Sequence, residues 1–168
     1  VTIGLHWASA ALVVVLWVIG QTVDFAPRGA LRVDYRSLHI VLGTLLAVLL
    51  AGRVAWRLTR GGVLPPLDTG LIGRLAGAAH LLLYALLVTA VGLGLTNAWV
   101  RGDSLFNLVS LPSFAPGDRA LRESIGDWHA LAANALLILA GAHAAAALLH
   151  HVWWRDATLR RMLPGRAR

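Results

Sequence analysis

Residues 128–154 hold no Asp, Glu, Lys or Arg, yet they carry four of the seven histidines. A run of 27 uncharged residues is long enough to cross a bilayer as a helix, which needs about 20 at about 1.5 Å rise each. His129 and His143 stand 14 positions apart within it. At about 100° per residue that spacing returns to within about 40° of the starting direction, so both rings leave one face. Along the axis they lie roughly 21 Å apart. One helix thus offers two imidazoles at two depths of a membrane, where an ionisable ring normally has a partner or a function.

The other apolar stretches fit the same frame. Residues 1–23 carry no charge before Asp24, and residues 75–100 none between Arg74 and Arg101. The stretch after Arg36 is uncharged only as far as Arg53, and it spans the bilayer if Arg53 and Arg57 snorkel. No run alternates with period two, so the reading is four helices and not a barrel. The expected fold class is all-α: an integral membrane four-helix bundle, one unit over 1–168, with spans at about 3–23, 37–58, 75–100 and 128–154. GGVLPP at 61–66 predicts a turn, and residues 118–127 a short amphipathic turn on the membrane surface. The chain opens on Val1, which predicts a short preceding segment, and its first apolar run is long enough to stay as a span.

Composition narrows the chemistry. Apolar residues make up 58% and mean hydropathy is +0.69, beyond an ordinary soluble domain. There is no cysteine, which excludes iron–sulfur clusters, thiolate metal sites and thioether-bound haem. The net charge of +7 comes from arginines at the ends of apolar runs, not along one face, so nucleic acid is no partner.

Those arginines set the orientation. Nine, including Arg53, Arg57, Arg74 and five in the tail, share one side with only Asp68 and Asp156. Six face six acids on the other side. The richer side is cytoplasmic by the positive-inside rule, which predicts a bacterial inner-membrane protein with both termini in the cytoplasm. Trp7, Trp56, Trp153 and Trp154 then form an inner aromatic belt, and Trp99 and Trp128 an outer one. Trp17 lies inside the first span and reads as packing.

On this frame the histidines pair by depth: His39 with His129 outside, His6 with His143 inside. Facing imidazoles from two helices suit the two axial positions of a haem iron. Each ring also has a small residue three or four positions on: Ser9 and Ala10, Gly43, Ala132 and Ala133, Ala146 and Ala147. His80 and His150 lack such room. A helix-bridging hydrogen bond explains one histidine in a span, but less well four that pair at two levels. A tetrahedral zinc or copper centre wants its ligands at one level.

The strings LHW at 5–7, HLLLYALL at 80–87 and WHALAANALLILAGAHAAAALLHHVWWRDATLRRMLP at 128–164 resemble the bacterial cytochrome b561 family. This is the four-helix, di-haem type akin to the cytochrome subunits of hydrogenase and formate dehydrogenase. The resemblance covers nearly the whole chain and is most specific in the last span and tail. It implies two b-type haems, with His6, His39, His129 and His143 as iron ligands, in agreement with the depth pairing. It further implies an oxidoreductase that sends electrons to the quinone pool. For the superoxide oxidase type, superoxide is the outer donor and ubiquinone the acceptor.

Other residues take expected roles around that core. Arg53 lies 14 positions after His39, on the same face at inner depth, and suits a haem propionate. His150 follows His143 by seven, on the same face one level further in, and is a quinone-site candidate. His80, at the inner level, bonds a propionate, a quinone or a neighbouring helix. His151 points away toward headgroups. Arg28, Arg32, Arg36 and Arg101 are placed either to steer a small anion or simply as solvated loop charge. The alternatives to a superoxide oxidase are an electron-relay and anchor subunit of a partner dehydrogenase or hydrogenase, and a haem-carrying or haem-sensing membrane protein.

Overall fold

The computed structural model describes residues 1–59, 70–115 and 117–163. Four long helices dominate: α1 (Thr2–Thr22), α2 (Ala30–Thr59), α3 (Leu71–Arg101) and α4 (Arg119–Val152). All four are long and apolar enough to cross a membrane. The turn expected at GGVLPP lies outside the described residues, as do Arg60, Asp68, Arg166 and Arg168.

The interior is thin. Leu16, Leu46, Leu50, Leu87 and Leu136 make one buried cluster, while Val48, Leu81 and Ile138 point outward and are exposed. That inversion suits lipid, where outward apolar side chains cost nothing and close packing holds helices together. Position in the chain gives the cluster its place. Leu136 is seven residues from both His129 and His143, and Leu46 is seven from both His39 and Arg53. The leucines therefore form an apolar layer between the two histidine levels.

Three helices extend past their expected ends. α2 begins at Ala30 and α3 at Leu71, each earlier than the hydrophobic pattern indicated. The larger difference is α4. Residues 119–127 are charged, yet they form its first turns and not a separate surface turn. The Asp118 carboxylate caps that end by accepting from the Leu121 N–H at 2.8 Å, and Arg119 pairs with Glu123 one turn on at 2.7 Å. A capped, salt-bridged helix continues into water where the membrane pattern stops.

The outer loop holds a small hairpin that no periodicity announces. β1 (Ser104–Leu105) pairs antiparallel with β2 (Val109–Ser110), and Phe106 and Asn107 turn the corner at φ 51° and 55°. It is fastened to α2 by Ser37, which is wholly buried. The Ser37 Oγ–H is shared between the carbonyls of Val33 and Ser104, and Oγ accepts from the Phe106 N–H at 2.8 Å. Beside it the Asp103 carboxylate bridges Arg36 at 3.5 Å and Arg101 at 3.4 Å. α3 ends at Gly102, at φ 64°, where a Cβ would meet Ser113 at 2.9 Å.

Removing the Ser37 hydroxyl leaves the part-buried Phe106 N–H without its acceptor, at a cost of about 1 kcal/mol. Ser37→Ala should therefore make the 103–113 loop cleavable by added protease while helix content stays unchanged. Equal protease resistance in both proteins would show that the hairpin is held by other contacts.

Candidate functional site

At the outer level α2 and α4 bring two rings face to edge. The centres of His39 and His129 are 6.0 Å apart, with their planes at 87°. His129 Nδ1 lies 2.9 Å from the Ala90 carbonyl. A carbonyl only accepts, so Nδ1 carries the proton and Nε2 keeps a free lone pair. This is how a metal-ligating imidazole is usually fixed by its surroundings. His39 Nδ1 is buried with no well-formed hydrogen bond among the described residues.

Two glycines let the other helices close on this pair. A Cβ on Gly94 of α3 would fall 2.9 Å from His129 Cε1, and one on Gly20 of α1 would fall 3.3 Å from His39 Cε1. Neither was singled out from sequence, although a glycine inside an apolar helix is itself a sign of close approach.

The chemistry of the pair fits a haem iron. With metal–nitrogen bonds of about 2 Å on each side, two opposed imidazole centres stand about 6 Å apart. Among the described residues no three His, Asp or Glu side chains gather as a metal cluster. A haem needs only two from the protein, since the porphyrin supplies the rest.

The inner level is more crowded. The ring in contact with His143 is that of His80, with centres 5.0 Å apart and planes at 67°. His80 thus packs on the neighbouring helix. His6 stands edge-on to Trp7 at 5.6 Å, and the charges acting on it come from Arg53, His143 and His80. The Arg53 guanidinium lies 5.3 Å from the centre of the Tyr84 ring. The cluster therefore joins three imidazoles and a guanidinium. A cation at this depth needs an anion, and a propionate meets that need.

Below it, the chain after α4 folds back. His150 Nδ1 is 2.5 Å from an oxygen of Asp156, and its ring lies 4.8 Å from that of Trp154. Trp7 Nε1–H donates to the Met162 carbonyl at 2.7 Å, which ties the final 3-10 turn (Arg160–Met162) to the start of α1. Hydrogen bonds from His150 and then Thr158 hold the Asp156 carboxyl down to about 2. A lowered carboxyl favours the folded tail above the ordinary value of about 3.9 and loses that effect as pH falls toward 2.

Three sequence readings change. Trp17 is more than packing: its Nε1–H donates to Asn134 Oδ1 at 2.8 Å, a polar tie between α1 and α4. His151 does not simply face headgroups, because its Nδ1 is buried without a partner among the described residues. Three of the four loop arginines are paired, while Arg28 is exposed as a solvated charge would be. Arg36 and Arg101 bind Asp103, and Arg32 binds Asp24 and the Ala26 carbonyl.

Apolar spans with imidazoles facing each other inside the bundle define a membrane cytochrome of the b type. The chain belongs to the prokaryotic cytochrome b561 family, whose description it matches over residues 1–165. It is 31% identical to a probable superoxide oxidase, CybB, of Yersinia pestis, covering 96% of this chain and 93% of that protein. It is 32% identical to a cytochrome b562 of Cereibacter sphaeroides, covering 96% and 91%. A cytochrome b561 homolog of Escherichia coli is 27% identical, over 96% and 94%. The chain is accordingly a bacterial multi-pass membrane protein that binds b-type haem and transfers electrons.

The glycine contact offers a test with an internal control. Gly94→Leu should lower the haem bound per polypeptide, because the added side chain displaces His129. Gly92→Leu should not, since a Cβ there meets nothing within 4 Å. Equal haem contents by pyridine haemochrome assay would contradict this geometry.

Proposed function

We propose that the chain works as a single unit that carries two b-type haems and moves electrons from the outer face to the quinone pool, with superoxide as donor and ubiquinone as acceptor. The observation that carries this reading is the His39–His129 pair, 6.0 Å apart with the Nε2 of His129 left free. In this reading His39 and His129 hold the outer iron, and His6 and His143 the inner one. Haem held by these four histidines would supply one-electron chemistry rather than oxygen binding.

The chain's own residues do the rest. The Ala90 carbonyl fixes the His129 tautomer, and Gly20 and Gly94 admit the rings. The leucine layer excludes water between the levels. Arg53 bonds an inner propionate, and His80 braces His143. His150 presents a ring nitrogen to a quinone carbonyl at the inner rim. Two superoxide ions each give up one electron and leave as O2, and one quinone takes both electrons and two protons.

Superoxide is favoured by the likeness to the Yersinia protein named as a probable superoxide oxidase. Surface charge adds little, because the outer cleft is lined by three arginines (Arg101, Arg119, Arg122) and three acids (Asp24, Glu123, Asp127). The inner membrane as location, with both termini cytoplasmic, is supported by the arginine asymmetry.

The purified protein, given an enzymatic superoxide source and a short-chain ubiquinone, should reduce the quinone with no partner present. His39→Ala and His143→Ala should each lower that rate beyond the roughly 10–100-fold typical of losing an outer-sphere group. Activity that appears only with an added dehydrogenase or hydrogenase would favour the relay-subunit reading.

A further inference from the structure

We propose that Asp156 is a positioning residue for proton delivery at the inner rim, holding His150 so that its Nε2 faces a bound quinone. This rests on the reading of His150 as part of the quinone site. The tail geometry carries the inference. α4 ends at Val152, and the chain reverses through Arg155, whose φ is 52°. The Asp156 N–H then donates back to the His150 carbonyl at 3.2 Å, which sets the carboxylate beside the ring of the same residue. One carboxylate oxygen lies 2.5 Å from His150 Nδ1, and the other accepts from the Thr158 N–H at 2.8 Å. Arg160 braces the turn through the carbonyls of Arg155 and Asp156. The carboxylate is thus fixed by backbone on both sides.

The consequence for His150 is chemical. An ionised carboxylate only accepts, so Nδ1 carries a proton in either charge state of the ring. Trp154 lies against the ring, and the side chain is 25% exposed, so its position is held while water still reaches it. What remains to act is Nε2. This is the arrangement in which a carboxylate orients an imidazole for proton transfer without itself changing protonation.

The step balances. A quinone accepts two electrons, delivered one at a time from the haem side, and two protons. His150 gives one proton from Nε2: the N–H bond breaks as an O–H bond forms on one quinone carbonyl oxygen, and the other carbonyl oxygen takes its proton from water at the inner surface. The ring is left neutral with Nδ1–H still on Asp156, and Nε2 regains a proton from water at the inner surface. Asp156 stays ionised throughout.

The test uses the full chain with its haem, in detergent, reduced and then mixed with a short-chain ubiquinone while haem absorbance reports reoxidation. His150→Gln should slow reoxidation by about 100-fold, the low end of general acid contributions. Asp156→Asn should slow it about tenfold with an unchanged reduced haem spectrum. The double variant should match His150→Gln alone, because Asp156 acts only through that ring. If His150→Gln reoxidises normally, the quinone reading of His150 falls and Asp156 falls with it. If His150→Gln is slow but Asp156→Asn is normal, or if Asp156→Asn slows the His150→Gln protein further, the quinone reading stands and the positioning role is wrong. A second measurement needs no variant. Nitrogen-15 histidine spectra of the wild-type chain should show His150 protonated at Nδ1; a neutral ring protonated only at Nε2 would overturn the proposal.

Discussion

A ring nitrogen placed in lipid is costly unless it is bonded, and at His129 the bundle meets that cost with a backbone carbonyl. The His129 Nδ1–H is committed to the Ala90 carbonyl, which leaves Nε2 as the free nitrogen of a ring 6.0 Å from that of His39. That carbonyl is available because α3 and α4 run close together, and they do so where Gly94 presents no side chain to the ring. Backbone proximity, tautomer and facing imidazoles are therefore one feature. Losing the close approach would cost the tautomer, and losing the tautomer would leave a polar nitrogen unsatisfied in an apolar interior.

The same economy of contacts separates the two levels. Few side chains are fully buried, and the buried leucines collect halfway between the histidine layers. In water so small a core would be inadequate for 168 residues. In a bilayer the helices need only close packing and a few polar ties, such as Trp17 to Asn134 and Trp7 to the Met162 carbonyl. The ends are tied differently. At one end of the bundle Asp103 and Ser37 fasten a hairpin to α2, and at the other Asp156 and Trp7 fasten the tail to α4 and α1.

Much of this was legible in the amino-acid order, and what was not has physical reasons. Three spans follow from charge-free length and the second from letting Arg53 and Arg57 snorkel, and the meeting of His39 with His129 follows from their common depth on facing helices. The contact of His80 with His143 did not follow, because depth says nothing about how α3 rotates against α4. The Ser104–Ser110 hairpin escaped because two-residue strands have no period to read. Residues 119–127 were misjudged because their charge marks where lipid ends, not where the helix ends; Asp118 as a capping residue was the available signal. The Asp156 contact depends on a chain reversal at Arg155, which residue type does not announce.

The central claim is that imidazoles at two depths hold two iron porphyrins in one chain. Its most direct test is a pyridine haemochrome measurement on the purified protein against quantitative amino-acid analysis. Two b-type haems per polypeptide is the predicted result, whereas one haem, or a colourless protein, would contradict it.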